Sequence, residues 1–281
     1  MGHKLTGKET TKQAIRINSL KTSDQEVYET LSALGVKLKK IDYLQQGYVV
    51  ESSPFSVGAS IEYLLGLFSI QEPASQLPVQ VMNPSPGETV WDMCAAPGGK
   101  TTQIAEYMNN QGLIIAYDID RKRIYSLENH LERCGVENCL VYHRDASLTK
   151  LEYSFSKILL DAPCSGNYVT DPEWFQKRSL EDVIRNAEAQ RKLLSNALNY
   201  LVEGGTLVYS TCSLEPEENE INIQWLLDNY KVSLETIEGP GEPGLTLFDG
   251  MELDKRITNC MRFWPDGPET QGFFIAKVTK T

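Results

Sequence analysis

Asp92-Met93-Cys94-Ala95-Ala96-Pro97-Gly98-Gly99-Lys100-Thr101 follows the apolar run Thr89–Asp92 and opens an amphipathic segment, Thr101–Asn109. A strand, a loop of small residues and a helix, in that order, form the first unit of a doubly wound sheet, whose ligands sit on that loop. Small residues let the backbone approach a ligand, and the helix start offers free N–H groups. Three ligand classes could use such a loop. A nucleoside triphosphate needs G-x-x-x-x-G-K-[ST]; Gly99-Lys100-Thr101 fits, but Cys94 stands in place of the first glycine and Pro97 removes a donor. A dinucleotide needs G-x-G-x-x-G, which is absent. S-adenosylmethionine carries no phosphate, so it needs less anion cradling, but it needs an acid for its ribose. Asp118, ending the second apolar run, is placed for that role, or else caps the helix that begins at Arg121. Asp145, after the third run, either contacts the adenine amino group or is a turn residue.

Outward from this loop the alternation continues. Strands are expected at Leu113–Asp118, Leu140–His143, Ile158–Asp161 and Thr206–Thr211, and helices at Arg121–Cys134, Leu180–Leu201 and Pro216–Asn229. This pattern predicts an α/β chain with right-handed βαβ units and a mostly parallel, twisted sheet. A last pair, Val232–Ile237 and Phe273–Val278, is expected to close it antiparallel. Pro84-Ser85-Pro86-Gly87 is a turn signal. Ahead of it, Ile15–Asn18 and Tyr48–Glu51 read as strands around an amphipathic helix, Gln25–Leu34, that stops at Gly35. The organisation is a small α+β domain over residues 1–70 and a larger α/β domain over 71–281.

The 281 residues carry 27 Lys and Arg against 38 Asp and Glu, a formal charge of −11. Taken alone, that argues against a nucleic-acid partner. The first fifty residues, however, hold eight basic groups (Lys4, Lys8, Lys12, Arg16, Lys21, Lys37, Lys39, Lys40) and five acidic ones, whereas Glu215–Thr281 holds six basic and thirteen acidic. The asymmetry suits an anionic ligand bound at one end, or only solubility. No apolar run approaches the roughly 18 residues of a membrane span, and no secretory h-region is visible, so a cytoplasmic, reducing setting and no membrane partner are expected. The six cysteines include no Cys-x-x-Cys, and His3, His130 and His143 form no metal set, so no metal is expected.

Lys157-Ile158-Leu159-Leu160-Asp161-Ala162-Pro163-Cys164-Ser165-Gly166 and Leu207-Val208-Tyr209-Ser210-Thr211-Cys212-Ser213 end two strands that should be parallel neighbours. Their C-terminal ends face the ligand crevice, so Asp161, Cys164 and Cys212 are expected to converge there. Both cysteines could instead be packing residues. The chemical reading concerns cytosine C5, which is too weak a nucleophile to take a methyl group unaided. A thiolate adding to C6 turns C5 into an enamine-like carbon; the C5 proton then leaves and the thiolate is eliminated. Asp161, if protonated, could hydrogen-bond the base near N3. The thiol needs a cation or a helix terminus to ionise; Lys100 and the helix start at Pro216 are the candidates. Glu217, Glu218 and Glu220 would oppose ionisation and are expected to point away.

DMCAAPGGKT, LLDAPCSG and VYSTCS together resemble the Nop/Sun family of RNA 5-methylcytosine methyltransferases, and the likeness covers about residues 14–281. Arg16-Ile17-Asn18-Ser19-Leu20 is similar to the family's Arg-x-Asn element, and Arg262–Pro265 with Gly272–Ala276 to its C-terminal strand pair. The resemblance implies a Rossmann-like class I methyltransferase sheet, a small RNA-recognition-like N-terminal domain, S-adenosylmethionine as cofactor, RNA as partner and a monomer. It implies Cys212 as the nucleophile, Cys164 as the residue aiding product release, and Asp161 as the acid contacting cytosine. Lys100 matches a lysine that assists the nucleophile in some members. Cys94, Ala95, Ala96, Pro97, Gly98, Gly99 and Lys100, with Asp118, Arg123, Asp145 and Asp161, match the cofactor-contacting positions. Asn167-Tyr168-Val169-Thr170-Asp171 departs from the Thr-Gly and arginine pair of many members. The likeness to short archaeal members, including Ser53–Gly58, makes tRNA the expected substrate and ribosomal RNA the alternative. Tyr168, Trp174 and Phe175 could stack on flanking bases, with Trp174 instead a packing anchor; Arg121, Lys122, Lys177 and Arg178 could bind phosphates. An RNA path is expected from the N-terminal unit across the Cys164 loop, with the Glu215–Thr281 surface facing solvent.

Overall fold

The computed structural model describes residues 11–265 and 270–281, so Lys4 and Lys8 lie outside the described residues. The chain begins with β1 (Ala14–Ile17), α1 (Asp24–Ala33), β2 (Lys37–Lys40), β3 (Gly47–Ser52), a short α2 (Ile61–Leu64) and β4 (Phe68–Ile70). These strands form an antiparallel sheet in the order β2-β3-β1-β4. Alternation splits β1 between two cores. Ile15 and Ile17 join Val27 and Leu31 of α1, while Ala14 faces the other way, with Val49, into the core of the main sheet.

Then follow α3 (Pro73–Met82), β5 (Thr89–Asp92), α4 (Gly99–Tyr107), β6 (Leu113–Asp118), α5 (Arg121–Cys134), β7 (Cys139–His143), β8 (Phe155–Asp161), α6 (Trp174–Lys177), α7 (Leu180–Tyr200), β9 (Leu201–Thr211), α8 (Glu220–Asn229) and β10 (Val232–Glu235). Short strands β11 (Glu242–Pro243), β12 (Leu247–Phe248) and β13 (Met251–Glu252) lead to β14 (Met261–Phe263) and β15 (Phe273–Lys280). The main sheet runs β11-β14-β15-β9-β8-β5-β6-β7, with β10 also on β15. Pairs among β5 to β9 are parallel, and β15 closes antiparallel on β9. Both faces are covered, so consecutive residues are all apolar and simply alternate sides. Val90, Ile114, Leu159 and Val208 pack under α3 and α4; Trp91, Ile115, Leu160 and Tyr209 pack under α7 and α8. The chain leaves β5 toward β6 and returns on its other side as β8, which puts the topological switch at the C-terminal ends of β5 and β8.

Two expectations about elements need correction. The helix expected from Pro216 starts at Glu220, because residues 216–219 form a turn. Helix α3 was not expected, since Pro73 and Pro78 both lie in it; Pro73 occupies the first turn, where a missing N–H costs nothing.

The two sheets are joined by a polar seam. Arg16 is 1% exposed. Its guanidinium forks onto Glu106 at 2.8 and 3.1 Å and reaches Thr102 Oγ1 at 2.8 Å, the Gly99 carbonyl at 2.7 Å and Gln71. Asn18 Nδ2 donates to the carbonyls of Gly66 and Cys134, both at 2.8 Å. At Gly66, with φ +75°, an added Cβ would collide with the Arg133 carbonyl. Arg16 therefore spends its charge inside the fold rather than on a ligand. Removing it leaves the Glu106 carboxylate buried without its cation, so Arg16→Met should cost about 3–5 kcal/mol in urea unfolding. Arg16→Met combined with Glu106→Leu should recover most of that loss; a single-variant cost within error of zero would show the seam to be dispensable.

Candidate active site

The switch point opens a cleft of about 510 Å³, lined among others by Cys94, Ala96, Asp118, Arg123, Asp145, Asp161, Cys164 and Cys212. Ala95, Pro97, Gly99 and Lys100 line an adjoining cavity of about 230 Å³ with Gln71, Glu72, Ser75 and Asp161. Gly98 lines neither; it starts α4 at φ +102°, a conformation that favours glycine.

Asp118 is buried at the end of β6, and its carboxylate accepts the Ala96 N–H at 3.1 Å and the Asp120 N–H at 2.9 Å. It is not the cap of α5: Asp120 is, accepting from the Lys122 N–H at 2.8 Å. Arg123 Nη1 lies 3.6 Å from Asp118, and its Nη2 donates to the Ala96 carbonyl. Asp145 accepts from the Ser147 N–H and hydroxyl at 2.8 and 2.7 Å, so it shapes its turn and lines the cleft at once. On the rear of the glycine loop, His130 Nδ1 donates to the Pro97 carbonyl at 3.1 Å and Nε2 accepts from Ser69 of β4 at 3.0 Å. Burial lowers that imidazole to about 4 and keeps it neutral. The glycine loop makes a poor phosphate cradle, since Pro97 has no N–H and Ala96 has committed its own to Asp118, while the three carboxylates of the cleft stand among Arg123, Arg144 and Lys192. A cationic, phosphate-free ligand with a ribose diol fits, because each Asp118 oxygen keeps a free lone pair.

At the other end of the cleft the two cysteines meet. Cys164 Sγ is 3.2 Å from Cys212 Sγ, and both are free thiols. Hydrogen bonding from Cys164 is the main cause that lowers the Cys212 thiol, against burial and Asp161, with Lys100 assisting. The same bond is the main cause that raises Cys164 well above the usual thiol range, with burial, the Cys212 charge and Glu218 adding to it. The contact thus favours ionisation of Cys212 over Cys164. The helper expected from the α8 N-terminus is replaced by a neighbouring thiol. Cys94 also lines the cleft, but burial and nearby carboxylates push its thiol far up, making it an inert wall.

Asp161 Oδ2 accepts from Lys100 Nζ at 2.7 Å, and Oδ1 from Ser210 Oγ at 2.7 Å. Lys100 also donates to Ser75 of α3 at 2.9 Å. Ser75 and Ser210 escaped the sequence reading, the first because α3 did, the second because a strand serine carries no signal of its partner. The expectation that the three glutamates point away fails for Glu218. Glu218 is 0% exposed and turns inward, accepting from the Ser165 hydroxyl at 2.6 Å, the Ser165 N–H at 3.0 Å and Gln190 Nε2 at 3.2 Å. Glu220 is buried against Arg262 at 2.5 Å. Trp174 is an anchor, its Nε1 donating to the Ser165 carbonyl at 2.8 Å. Of the cations expected to bind phosphates, Lys177 pairs with Asp171 and Glu173, and in the N-terminal unit Lys21 donates to the carbonyls of Leu65 and Arg133. The Glu215–Thr281 segment does not simply face solvent either, since β15 lies inside the sheet. Among the described residues no group of three or more His, Cys, Asp or Glu is arranged to hold a metal, and no helix is long and apolar enough to cross a membrane.

A family described as 16S rRNA methyltransferase RsmB/F matches residues 79–279, and the N-terminal domain of 16S rRNA methyltransferase RsmF matches residues 4–73. Ribosomal RNA small subunit methyltransferase F of Citrobacter koseri is 37% identical over 279 residues, 96% of this chain and 57% of that protein. The Homo sapiens 28S rRNA (cytosine(4447)-C(5))-methyltransferase is 37% identical over 95% of this chain and 34% of its own length. The chain thus spans little more than half of the first relative and about a third of the second. Among solved structures, a methyltransferase homolog protein from Pyrococcus horikoshii superposes with a TM-score of 0.90 at 42% identity, over 98% of this chain and 88% of that one. NSun6 from Pyrococcus horikoshii with SFG gives 0.86 at 28% identity, over 98% and 92%.

The thiol pair makes a prediction of its own. Iodoacetamide alkylation of Cys212, followed by mass spectrometry of its peptide, should titrate at higher pH in Cys164→Ala than in the parent protein. An unchanged or lower midpoint would mean that Cys164 does not stabilise the thiolate.

Proposed function

Since the chain belongs to the RsmB/F (Nop/Sun) family of RNA cytosine-C5 methyltransferases, we propose that it methylates C5 of a cytosine in RNA, with Cys212 as covalent nucleophile. The observation that carries this reading is the 3.2 Å Cys164–Cys212 contact beside Asp161, at the mouth of a cleft suited to a ribose-bearing cation. Asp118 would hold the ribose of S-adenosylmethionine, Asp145 its adenine, and Cys94 to Lys100, with Arg123 and Asp161, the rest. When bound, the cofactor supplies an electrophilic methyl group.

The chain's own residues supply everything else. Cys212 enters as thiolate and bonds C6, which raises electron density at C5. Asp161 faces the base near N3, and its ion pair with Lys100 brings a cation to neutralise charge arriving there. Cys164 then changes character. Two of the causes that hold it protonated, the hydrogen bond to Cys212 and the Cys212 charge, vanish once that sulfur is bonded to carbon. Its thiol becomes more acidic, and once its own proton has passed to solvent in the open cleft, the Cys164 thiolate takes the C5 proton as the C5–C6 double bond re-forms and Cys212 leaves as thiolate. The target cytosine must leave its stack to enter, which favours loops and junctions.

Transfer RNA is the substrate that the likeness to short archaeal members supports. A second reading, ribosomal RNA, is favoured by the names of the curated relatives. Bisulfite sequencing of total RNA after incubation with enzyme and cofactor separates them: protected cytosines should appear in tRNA, and protection confined to ribosomal RNA selects the second. Cys164→Ala should trap a denaturation-resistant protein–RNA adduct, whereas Cys212→Ala should abolish both adduct and tritiated methyl transfer. Methyl transfer that survives in Cys212→Ala would sink the covalent mechanism. RNA affinity should fall as salt rises.

A further inference from the structure

A second pocket, about 280 Å³, is lined by Asn167, Tyr168, Trp174, Phe175, Leu214, Glu215 and Trp264. It lies a few residues further along the same two loops that end the cleft at Cys164 and Cys212. Its wall is tied to the nucleophile, for Asn167 Nδ2 donates to the Cys212 carbonyl at 2.7 Å, and Trp174 holds the Ser165 carbonyl. Four of its residues are aromatic. Phe175 stacks one face on Tyr168 at 5.4 Å and 19°, meets Trp174 edge-on at 5.2 Å, and is still 65% exposed. This is an open ring face held in fixed orientation, the form of a base-stacking platform. The charged residue lining the pocket is Glu215, whose carboxylate repels a phosphate and accepts N–H donors.

We infer that this pocket takes an unpaired nucleobase adjacent to the target cytosine, and that Glu215 makes guanine the preferred base there. Guanine alone presents two neighbouring donors, N1–H and the N2 amino group, which match the two oxygens of a carboxylate. Adenine and cytosine place a ring-nitrogen acceptor beside their amino group, and uracil flanks its single N–H with carbonyls, so each sets a lone pair against Glu215. The inference rests on the proposed RNA methylation, with the substrate's sequence context as the added content.

The test uses the full chain and a pool of RNA oligonucleotides with randomised sequence around one fixed cytosine. RNA retained by the protein is sequenced without cofactor, and RNA methylated in the presence of S-adenosylmethionine is sequenced after bisulfite. The parent protein should enrich guanine about tenfold at one position beside the cytosine in both fractions, the scale of one good bidentate contact. Glu215→Gln should flatten that preference by bringing the rates on RNAs with and without guanine there together, and Phe175→Ala should lower retention of every RNA. A flat profile in the parent protein, or guanine enrichment that persists in Glu215→Gln, overturns the pocket. Guanine enrichment in the retained RNA with no methylated cytosine anywhere would keep the pocket and sink the proposed activity.

Discussion

The Glu218 carboxylate sits between the two loops that continue from the neighbouring strands β8 and β9. One continues from β8 through Cys164 to Ser165; the other leaves β9 at Cys212 and turns through Pro216. A buried carboxylate is tolerated only where its oxygens are filled with donors. Here the Ser165 amide and hydroxyl and the Gln190 amide fill them. The turn itself is locked because Tyr209 donates to the Glu218 carbonyl and Asn219 bridges Thr211 and the Ser213 carbonyl. Two sulfurs at 3.2 Å are the outcome of this arrangement. The acid that looked harmful to thiolate chemistry helps hold the thiols in contact, and its field falls on Cys164, where a raised pKa is useful.

The architecture of the main sheet was legible because its signal is local. Apolar runs of strand length, broken by amphipathic stretches, leave few alternatives once the crossover hand is fixed. What escaped was set by partners distant in sequence. Helix α3 hides behind two prolines, and its stability comes from the sheet it covers rather than from its own propensity. Lys12, Arg16 and Lys21 look equivalent in a charge count. Only the fold reveals that Arg16 meets Glu106, ninety residues away, and is no ligand for RNA.

The site was legible at the level of motifs and less so at the level of roles. The three segments carrying Lys100, Asp161, Cys164 and Cys212 converge because strands β5, β8 and β9 are parallel neighbours, a consequence of topology alone. Asp118 and Asp120 are two residues apart, and which one caps α5 depends on a register that composition does not carry. Ser75, Ser210 and Glu218 are ordinary surface residue types until tertiary structure gives each a buried partner.

The His130 contact carries a wider consequence. The loop that carries Gly98 has the N-terminal sheet as its backing, through Pro97, His130 and Ser69, and the first turn of α4 hangs on Arg16. Whatever strains β1 or β4 is therefore felt by the backbone that lines the cofactor cleft. The smaller unit backs the loop that walls the larger unit's cleft, so a backbone change in either sheet reaches the other through these few contacts.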